Sequence, residues 1–245
     1  VARHVAGLVE DGATLQCGIG SLPRAVLAEL TDHRDLGLHS GALIDEAARL
    51  AKAGVINNSR KTIDPGLSIV GVCMGGREAR EFLDRNPAVN LRSVDYTHSA
   101  AVLADVDRFV AINSAVEVDL TGQVNSEVAG GTYVGAVGGA SDFLRAAQNS
   151  RRGMPIIAMP STAGTSESRV SRIVSHLSGP VSTARSDVRF VVTEHGVADL
   201  RGASLSQRVE RMLAVAAPEF RGQLKHEARA LAGGAPRASW GKTSP

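Results

Sequence analysis

The chain has 245 residues, of which 43% are hydrophobic and 21% charged, so it is long enough and apolar enough to fold around a substantial core. Its formal net charge is only +2, and no basic run is interleaved with aromatic residues, which argues against nucleic acid as a partner. No apolar run reaches the ~20 residues that a membrane-spanning helix needs, so no membrane partner is predicted. Cys17 and Cys73 lie far apart without metal-ligand spacing, and we expect reduced thiols in a cytoplasmic protein.

The predicted elements alternate between helix and strand along the chain. A first helix covers residues 1–9 with no capping residue before it, so the chain is expected to be a piece of a longer protein. Further helices are predicted over 21–30, 43–53, 77–85, 142–148 and 206–216. Buried strands are predicted over 13–17, 68–74, 108–112, 116–120, 155–159 and 188–193. This alternation predicts an α/β fold, an open sheet flanked by helices.

Two further features refine this organisation. Thr121-Gly122 reads as a tight turn between two short strands, so at least one strand pair is expected to be antiparallel and the sheet mixed. The end of the chain is rich in Gly, Ala, Pro and Ser and offers little to bury. We therefore expect one domain over residues 1–230 and a flexible tail over 231–245.

The glycine-rich segment 130–143 is the first candidate for chemistry. Five glycines precede a predicted helix start, where free backbone N–H groups attract a phosphate or an oxyanion. A flexible loop whose glycines only satisfy unusual backbone angles is an equal alternative. Gly18-Ile19-Gly20 is a weaker signal of the same kind, because it lacks the third glycine of a dinucleotide-binding motif, and a simple strand-to-helix turn explains it as well.

Three carboxylates stand out by position: Glu117, Glu127 and Glu194. Glu194 follows a predicted buried strand, where open α/β sheets bind ligands and where partial burial suits a general base. Its structural alternative is an ion pair with a nearby arginine, namely Arg185, Arg189 or Arg201. Glu117 could equally face solvent from an antiparallel strand. The histidines have no metal-ligand spacing, so no metal site is predicted, and no motif for a serine or cysteine nucleophile occurs.

Several segments, taken in order, resemble a known family. They are Gly18-Ile19-Gly20-Ser21-Leu22-Pro23, the stretch 111–125 (AINSAVEVDLTGQVN), Gly138-Gly139-Ala140-Ser141-Asp142-Phe143, Pro160-Ser161-Thr162-Ala163 and Val192-Thr193-Glu194-His195-Gly196. The chain, from residue 1 to about 228, resembles the C-terminal half of the acetyl-CoA hydrolase/transferase family. That family includes the 4-hydroxybutyrate, butyryl-CoA:acetate and succinyl-CoA:acetate CoA-transferases.

The resemblance implies a CoA-transferase type of open α/β fold, the second domain of a two-domain enzyme whose N-terminal domain is absent here. It implies a coenzyme A thioester as substrate rather than a bound cofactor, with an acyl-CoA and a carboxylic acid as partners. The backbone around Gly138 and Gly139 would support the thioester oxygen, Gly18 and Gly20 would line the same cleft, and Glu194 matches a second active-site carboxylate. We also expect a homo-oligomer or pairing with a separate N-terminal CoA-transferase domain.

The main departure from the family concerns its nucleophile. The family presents a glutamate in a His-Thr-Glu-Met stretch, and the matching segment here is His39-Ser40-Gly41-Ala42, so the glutamate position is Gly41. Two other positions depart as well: His98 stands where the family usually has asparagine, and Ala140 where many members have glutamine. The covalent glutamyl-CoA route therefore cannot be assigned to residue 41 unless another carboxylate has moved into its place.

Two functions of different classes follow from these observations. The first is a short-chain acyl-CoA enzyme that exchanges or hydrolyses the thioester, with Glu194 or Glu117 as the base that activates water. The second is a catalytically silent CoA-binding or subunit-interaction domain, which the loss of the glutamate at Gly41 suggests. A sugar-phosphate isomerase-like activity would rest on the related fold alone, which does not carry function.

Overall fold

A computed structural model describes residues 1–165 and 167–233. The helices are α1 (Ala2–Ala6), α2 (Ser21–Ala28), α3 (Asp45–Lys52), α4 (Arg77–Leu83), α5 (Val94–Thr97), α6 (Ala100–Ala104), α7 (Ala140–Asn149), α8 (Leu205–Val215) and α9 (Pro218–Gly233), with a 3-10 turn at Arg185–Asp187. The strands are β1 (Thr14–Cys17), β2 (Gly37–Leu43), β3 (Ser68–Cys73), β4 (Val89–Leu91), β5 (Phe109–Asn113), β6 (Glu117–Asp119), β7 (Val124–Asn125), β8 (Val128–Ala129), β9 (Thr132–Tyr133), β10 (Met154–Ala158), β11 (Thr162–Ala163), β12 (Val170–Ser171), β13 (Ile173–Val174), β14 (Phe190–Thr193) and β15 (Gly196–Asp199).

Eight of these strands form one central sheet in the order β15-β14-β10-β5-β1-β2-β3-β4. Every neighbouring pair is parallel except β14 and β15, which form an antiparallel hairpin at the edge. The mixed α/β sheet predicted from the sequence is therefore confirmed. The predicted turn at Thr121-Gly122 does join an antiparallel pair, β6 and β7, but that pair belongs to a separate small sheet with β13.

The strand order contains a reversal that positions the functional site. From β1 the chain moves outward through β2 and β3 to β4, and it then returns to the opposite side of β1 as β5. Where neighbouring strands connect in opposite directions, their connections diverge and leave a crevice outside the carboxyl ends of the strands. The topology thus predicts a ligand site between the ends of β1 and β5.

Helices cover both faces of the sheet, which is why its central strands are buried on both sides. One hydrophobic cluster packs α1, α2 and α3 against one face, with Val26 and Leu27 fully buried. The other cluster packs α6, α7, α8 and α9 against the opposite face, with Phe143 and Leu144 at its centre. No helix in the described part of the chain is both long and apolar enough to cross a bilayer.

Two parts of the chain differ from the sequence-based expectation. Residues 37–43 form the buried strand β2, although His39-Ser40-Gly41 gave no strand signal, and the helix expected from residue 43 begins at Asp45. Beyond α8, the helix α9 was not predicted, and it includes the first three residues, 231–233, of the expected tail. The rest of that tail, residues 234–245, lies outside the described residues.

Candidate functional site

A cavity of about 640 Å³ lies at the carboxyl ends of the strands where the topology reverses. The ends of β1 and β5 contribute Gly18 and Asn113 to its lining, and β2 and β3 contribute Gly41 and Gly71. At Gly18, an added Cβ would lie only 2.9 Å from Asn113 Oδ1, and at Gly71 only 2.8 Å from the Gly41 carbonyl oxygen. Glycine is required at residue 71, because the β2 backbone approaches so closely that a side chain would collide with it, whereas a side chain at residue 18 would meet the end of the Asn113 side chain.

The glycine-rich segment forms the opposite wall of this cavity through Gly138, Gly139 and Ala140. Gly139 is the N-cap of the ten-residue helix α7, and Gly138 has a positive φ of 55° that favours glycine. The N–H groups of residues 138, 139 and 140 have no hydrogen-bond acceptor in the described part of the chain. These amides, at the positive end of the helix dipole, are therefore available to an oxyanion in the cavity.

The His98 ring lies between Gly41 on β2 and Gly139 at the start of α7. A Cβ added at Gly41 would lie 3.2 Å from His98 Cε1 and 3.3 Å from Nε2, and one added at Gly139 would lie 2.3 Å from Nε2. The imidazole also packs on the Phe143 ring, with 4.4 Å between ring centroids. The volume into which a side chain at position 41 would project is thus occupied by the histidine ring.

The hydrogen bonds of His98 leave one ring nitrogen free. Nδ1 lies 2.8 Å from Thr97 Oγ1, and Thr97 Oγ1 donates to the Ser93 carbonyl oxygen over 3.3 Å. Nε2 has no hydrogen-bond partner among the described residues and is open to the cavity. Burial lowers the pKa of His98 below its usual value, although the Asp142 carboxylate acts in the opposite direction. The ring is therefore neutral at physiological pH.

Two buried titratable residues at the cavity, His39 and Cys17, are held in their uncharged forms. His39 is fully buried and its Nε2 donates to the Thr97 carbonyl oxygen over 3.1 Å. Burial, reinforced by the charge of Lys61, lowers the pKa of His39 to about 4. Burial likewise raises the pKa of the Cys17 thiol to about 12, so the thiolate that a nucleophile needs does not form there.

Glu194 lies at the same edge of the sheet but outside the cavity lining. The Ser161 N–H donates to Oε2 over 2.8 Å, and the Ser161 hydroxyl donates to Oε1 over 2.5 Å. Burial acts to raise the pKa of Glu194, but these hydrogen bonds outweigh it, so the net pKa is lower than usual. Its side chain is 38% exposed and lies 3.6 Å from His195 Nε2. The carboxylate is thus ionised, fixed and accessible.

The ion-pair alternative for Glu194 is not what the described residues form. Of the three arginines considered, Arg201 pairs instead with Asp199, and neither Arg185 nor Arg189 contacts Glu194 in the described part of the chain. A fourth arginine, Arg172, interacts with the charge of Glu194 without forming an ion pair with it. Its guanidinium donates to the carbonyl oxygens of Val116 and Ala115.

Glu117 has a different environment from Glu194. It is buried in β6, away from the cavity lining, and its Oε1 accepts three hydrogen bonds. The donors are Asn125 Nδ2 at 2.9 Å, the Ser178 N–H at 2.6 Å and the Ser178 hydroxyl at 2.9 Å. These hydrogen bonds hold the segment around Ser178 against the small sheet that contains β6. The Glu117 carboxylate therefore has a structural role.

The cavity brings together most of the residues singled out from the sequence and leaves out four of them. Gly18, Gly41, His98, Gly138, Gly139 and Ala140 line it, whereas Gly20, Glu117, Glu127 and Glu194 do not. The Glu127 carboxylate instead accepts a hydrogen bond from the Ser182 hydroxyl over 2.7 Å. Sequence reasoning missed Gly71 and the pair Gln16 and Asn113, whose side-chain amides hydrogen-bond over 2.9 Å at the cavity floor. Within the described residues, no group of three or more His, Cys, Asp or Glu side chains could hold a metal ion.

The fold and the cavity together define an open α/β domain with a cavity at the carboxyl ends of parallel strands, against a glycine-rich helix start. The sequence matches the family described as Acetyl-CoA hydrolase/transferase C-terminal domain over residues 75–228. The chain therefore belongs to this family.

Individual relatives agree with this assignment. The chain is 45% identical over 229 residues to a 4-hydroxybutyrate coenzyme A transferase of Clostridium kluyveri, an alignment covering 93% of the chain and 53% of that protein. It is 43% identical to a succinyl-CoA:acetate/propanoyl-CoA:succinate CoA transferase of Fasciola hepatica, over 90% of the chain and 46% of the relative. The crystal structure of RipA from Yersinia pestis superimposes with a TM-score of 0.90 at 41% identity, over 95% of the chain and 52% of RipA. The chain thus spans about half the length of the relatives it matches.

Proposed function

We propose that this chain binds a short-chain acyl-CoA thioester in the cavity and takes part in its hydrolysis or in exchange of its acyl group. The observation that carries the proposal is that residues 138–140 line a cavity at the strand ends and that their N–H groups have no acceptor among the described residues. Backbone amides at a helix start can stabilise the oxyanion that forms when a thioester carbonyl is attacked. The names of the relatives support coenzyme A thioesters as the substrate class.

The route of the reaction depends on which groups meet the thioester carbon. Gly41 offers no carboxylate, so we propose a non-covalent step in which water is activated, rather than a glutamyl-CoA intermediate. Of the two candidate carboxylates, the geometry favours Glu194 over Glu117. Glu194 is exposed at the ligand-binding edge, whereas Glu117 is buried and its Oε1 already accepts three hydrogen bonds.

A second candidate function is a CoA-binding or subunit-interaction domain without turnover. Gly41 is the observation that favours it, since the position that carries the nucleophile in the resembled family has no side chain here. Such a domain would keep the amides at 138–140 and bind CoA without releasing the acyl group.

The apolar rim of the cavity suggests where a second domain would pack on this chain. Ile19, Val72, Met74, Val94 and Val137 line the cavity, and each is at least half exposed. An exposed apolar rim of this kind marks an interaction surface. We propose that a CoA-transferase N-terminal domain covers it, with a second copy of this chain as the alternative. We also propose a cytoplasmic location, on the ground of the free thiols of Cys17 and Cys73.

Binding and turnover can be measured separately on the protein as it is naturally encoded. Acetyl-, propionyl- and succinyl-CoA are titrated in a calorimeter, and CoA release and exchange of labelled acetate are followed with the same preparations. We expect both binding and CoA release. Binding without release would favour the silent domain, and absence of binding would contradict both functions.

A matched pair of glycine variants locates the binding site. Gly138 and Gly66 both have positive φ, 55° and 80°, and an added Cβ meets no atom within 4 Å at either position. Gly138→Ala and Gly66→Ala therefore introduce similar backbone strain, but only Gly138 lines the cavity. We expect Gly138→Ala to weaken acetyl-CoA binding about 10-fold because the amides shift, and Gly66→Ala to leave it unchanged. Equal losses in the two variants would contradict the site.

A further inference from the structure

Two departures from the family pattern, far apart in the sequence, meet at one point in the structure. Gly41 removes a side chain from the cavity wall, and His98 inserts a ring into the space that this side chain would occupy. The clearance from an added Cβ at Gly41 to His98 Nε2 is only 3.3 Å. The glycine and the histidine are therefore complementary, since a side chain at residue 41 would press on the ring and require it to shift.

The hydrogen bonds of His98 determine which nitrogen carries the proton. The Thr97 hydroxyl has one proton, and the Ser93 carbonyl oxygen can only accept a hydrogen bond. Both hydrogen bonds of the hydroxyl are satisfied when it donates to Ser93 and accepts from His98 Nδ1–H. We assign this tautomer on that basis. It leaves Nε2 with an unshared electron pair, open to the cavity beside Gly41 and Gly139.

We propose that His98, rather than Glu194 outside the cavity lining, is the general base of this site, acting in the place of the absent carboxylate and directing the chain toward thioester hydrolysis. This inference rests on the proposed function, because it requires an acyl-CoA in the cavity. His98 Nε2 lies against Gly139, since a Cβ added there would be only 2.3 Å from it, so the base lies beside the amides at residues 138–140. A thioester whose carbonyl oxygen accepts from these amides would have the base next to its carbonyl carbon, as general-base attack requires.

The step balances without any further reactant. Nε2 takes a proton from water, and the water oxygen forms a bond to the carbonyl carbon while the carbonyl oxygen becomes an oxyanion facing the amides. The C–S bond then breaks as the carbonyl re-forms, and the imidazolium returns its proton to the leaving thiolate. The products are a free carboxylic acid and the CoA thiol, and no covalent enzyme intermediate forms.

The charged and titratable groups around His98 are few in the described part of the chain. Cys17 lines the cavity and His39 is buried next to it in β2, and their pKa values of about 12 and about 4 keep both uncharged between these limits. Asp142 on α7 favours the imidazolium, and Arg92 lines the cavity ahead of α5. We therefore expect kcat to rise with pH through the pKa of His98, with its midpoint below the usual value of about 6.5, because the imidazolium cannot take a proton.

The test compares His98→Asn with His176→Asn in the naturally encoded protein. Asparagine cannot take the proton, and His176 is an exposed histidine outside the cavity. We expect His98→Asn to lower kcat for acetyl-CoA hydrolysis about 100-fold with KM within about threefold, and to abolish the acidic limb of the pH profile. His176→Asn should change neither. His98→Gln is a second variant in case the first fails to fold, and thermal unfolding checks both.

The outcomes separate this inference from the proposed function. No CoA release by the unmodified protein would overturn both. Release that persists in His98→Asn with its pH profile intact would overturn the inference alone, as would an acyl group trapped covalently on His98. A rise in KM with unchanged kcat would also overturn it, because it would mean that His98 only binds substrate. Nitrogen NMR of labelled histidine should report a proton on Nδ1 of His98, and a proton on Nε2 would contradict the assignment.

Discussion

The carboxyl edge of the sheet has two regions that offer a ligand different things. Over β1 and β2 the chain builds a cavity with free backbone amides and a neutral histidine, but without a carboxylate in its lining. Over β10 and β14 it holds the ionised Glu194 on Ser161, without contributing to that cavity. Parallel strands bring both regions to one edge, but the free backbone amides and the negative charge are separate features of that edge. Each can therefore be altered without removing the other.

The largest effect is expected from restoring a carboxylate to the cavity. Gly41→Glu alone would direct its side chain into the His98 ring, so we expect little acyl exchange from it. Gly41→Glu combined with His98→Asn clears that space, and we expect acyl exchange between acetyl-CoA and propionate about 1,000-fold above the single variant. Exchange of labelled acyl groups measures this directly.

The same double variant should form a covalent intermediate that the unmodified chain lacks. A glutamyl-CoA thioester can be cleaved by borohydride or hydroxylamine, and peptide mass spectrometry would locate it at residue 41. If the single variant Gly41→Glu exchanged acyl groups as fast as the double variant, His98 would not occupy the glutamate's space in solution.

The next effect concerns the buried histidine beneath the cavity. His39 has a pKa of about 4 in the folded chain against about 6.5 unfolded, so the unfolded state binds more protons between these values. Stability is therefore full above pH 6.5 and decreases toward pH 4, by about 3 kcal/mol from this group. Denaturant unfolding at pH 7 and pH 4 should show this loss in the natural chain and not in His39→Gln. Parallel losses in both would contradict the assignment to His39.

The smallest effect separates the two candidate carboxylates. Glu194→Gln removes an exposed charge at the ligand-binding edge, and we expect kcat to fall about 10-fold with little change in Tm. Glu117→Gln weakens three hydrogen bonds to a buried carboxylate, and we expect a loss of about 2 kcal/mol of stability with little change in kcat. If Glu117→Gln lowered kcat and Glu194→Gln lowered stability instead, Glu117 rather than Glu194 would be the carboxylate that influences the reaction.

The sequence predicted the parts of the fold that depend on apolar runs. Strands β1, β3, β5, β10 and β14 overlap predicted strands because valine, isoleucine and other apolar residues fill them. Strand β2 was missed because His39, Ser40 and Gly41 resemble a loop, although all but one of its residues are buried between parallel neighbours. Strand β4 and the helices α5 and α6 are too short to give a periodic pattern.

The candidate site was predictable only in part. The glycine segments identified Gly18, Gly138 and Gly139, which do line the cavity. Gly138 has a positive φ that favours glycine, and at the other two an added Cβ would meet a cavity side chain. The contact between Gly41 and His98 could not be predicted, since it depends on how α5 packs across β2 and β3. The strand-end position of Glu194 was also correct, but the separation of that strand end from the cavity is set by the strand order.

The central claim is that the amides at residues 138–140 receive the thioester oxygen. The direct measurement is a crystal structure of the naturally encoded protein with an acetyl-CoA analogue in which a methylene group replaces the thioester sulfur. We predict the carbonyl oxygen about 3 Å from one or more of these N–H groups, with His98 Nε2 beside the carbonyl carbon. A carbonyl oxygen directed away from these amides, or amides paired with protein acceptors in the complex, would contradict the account.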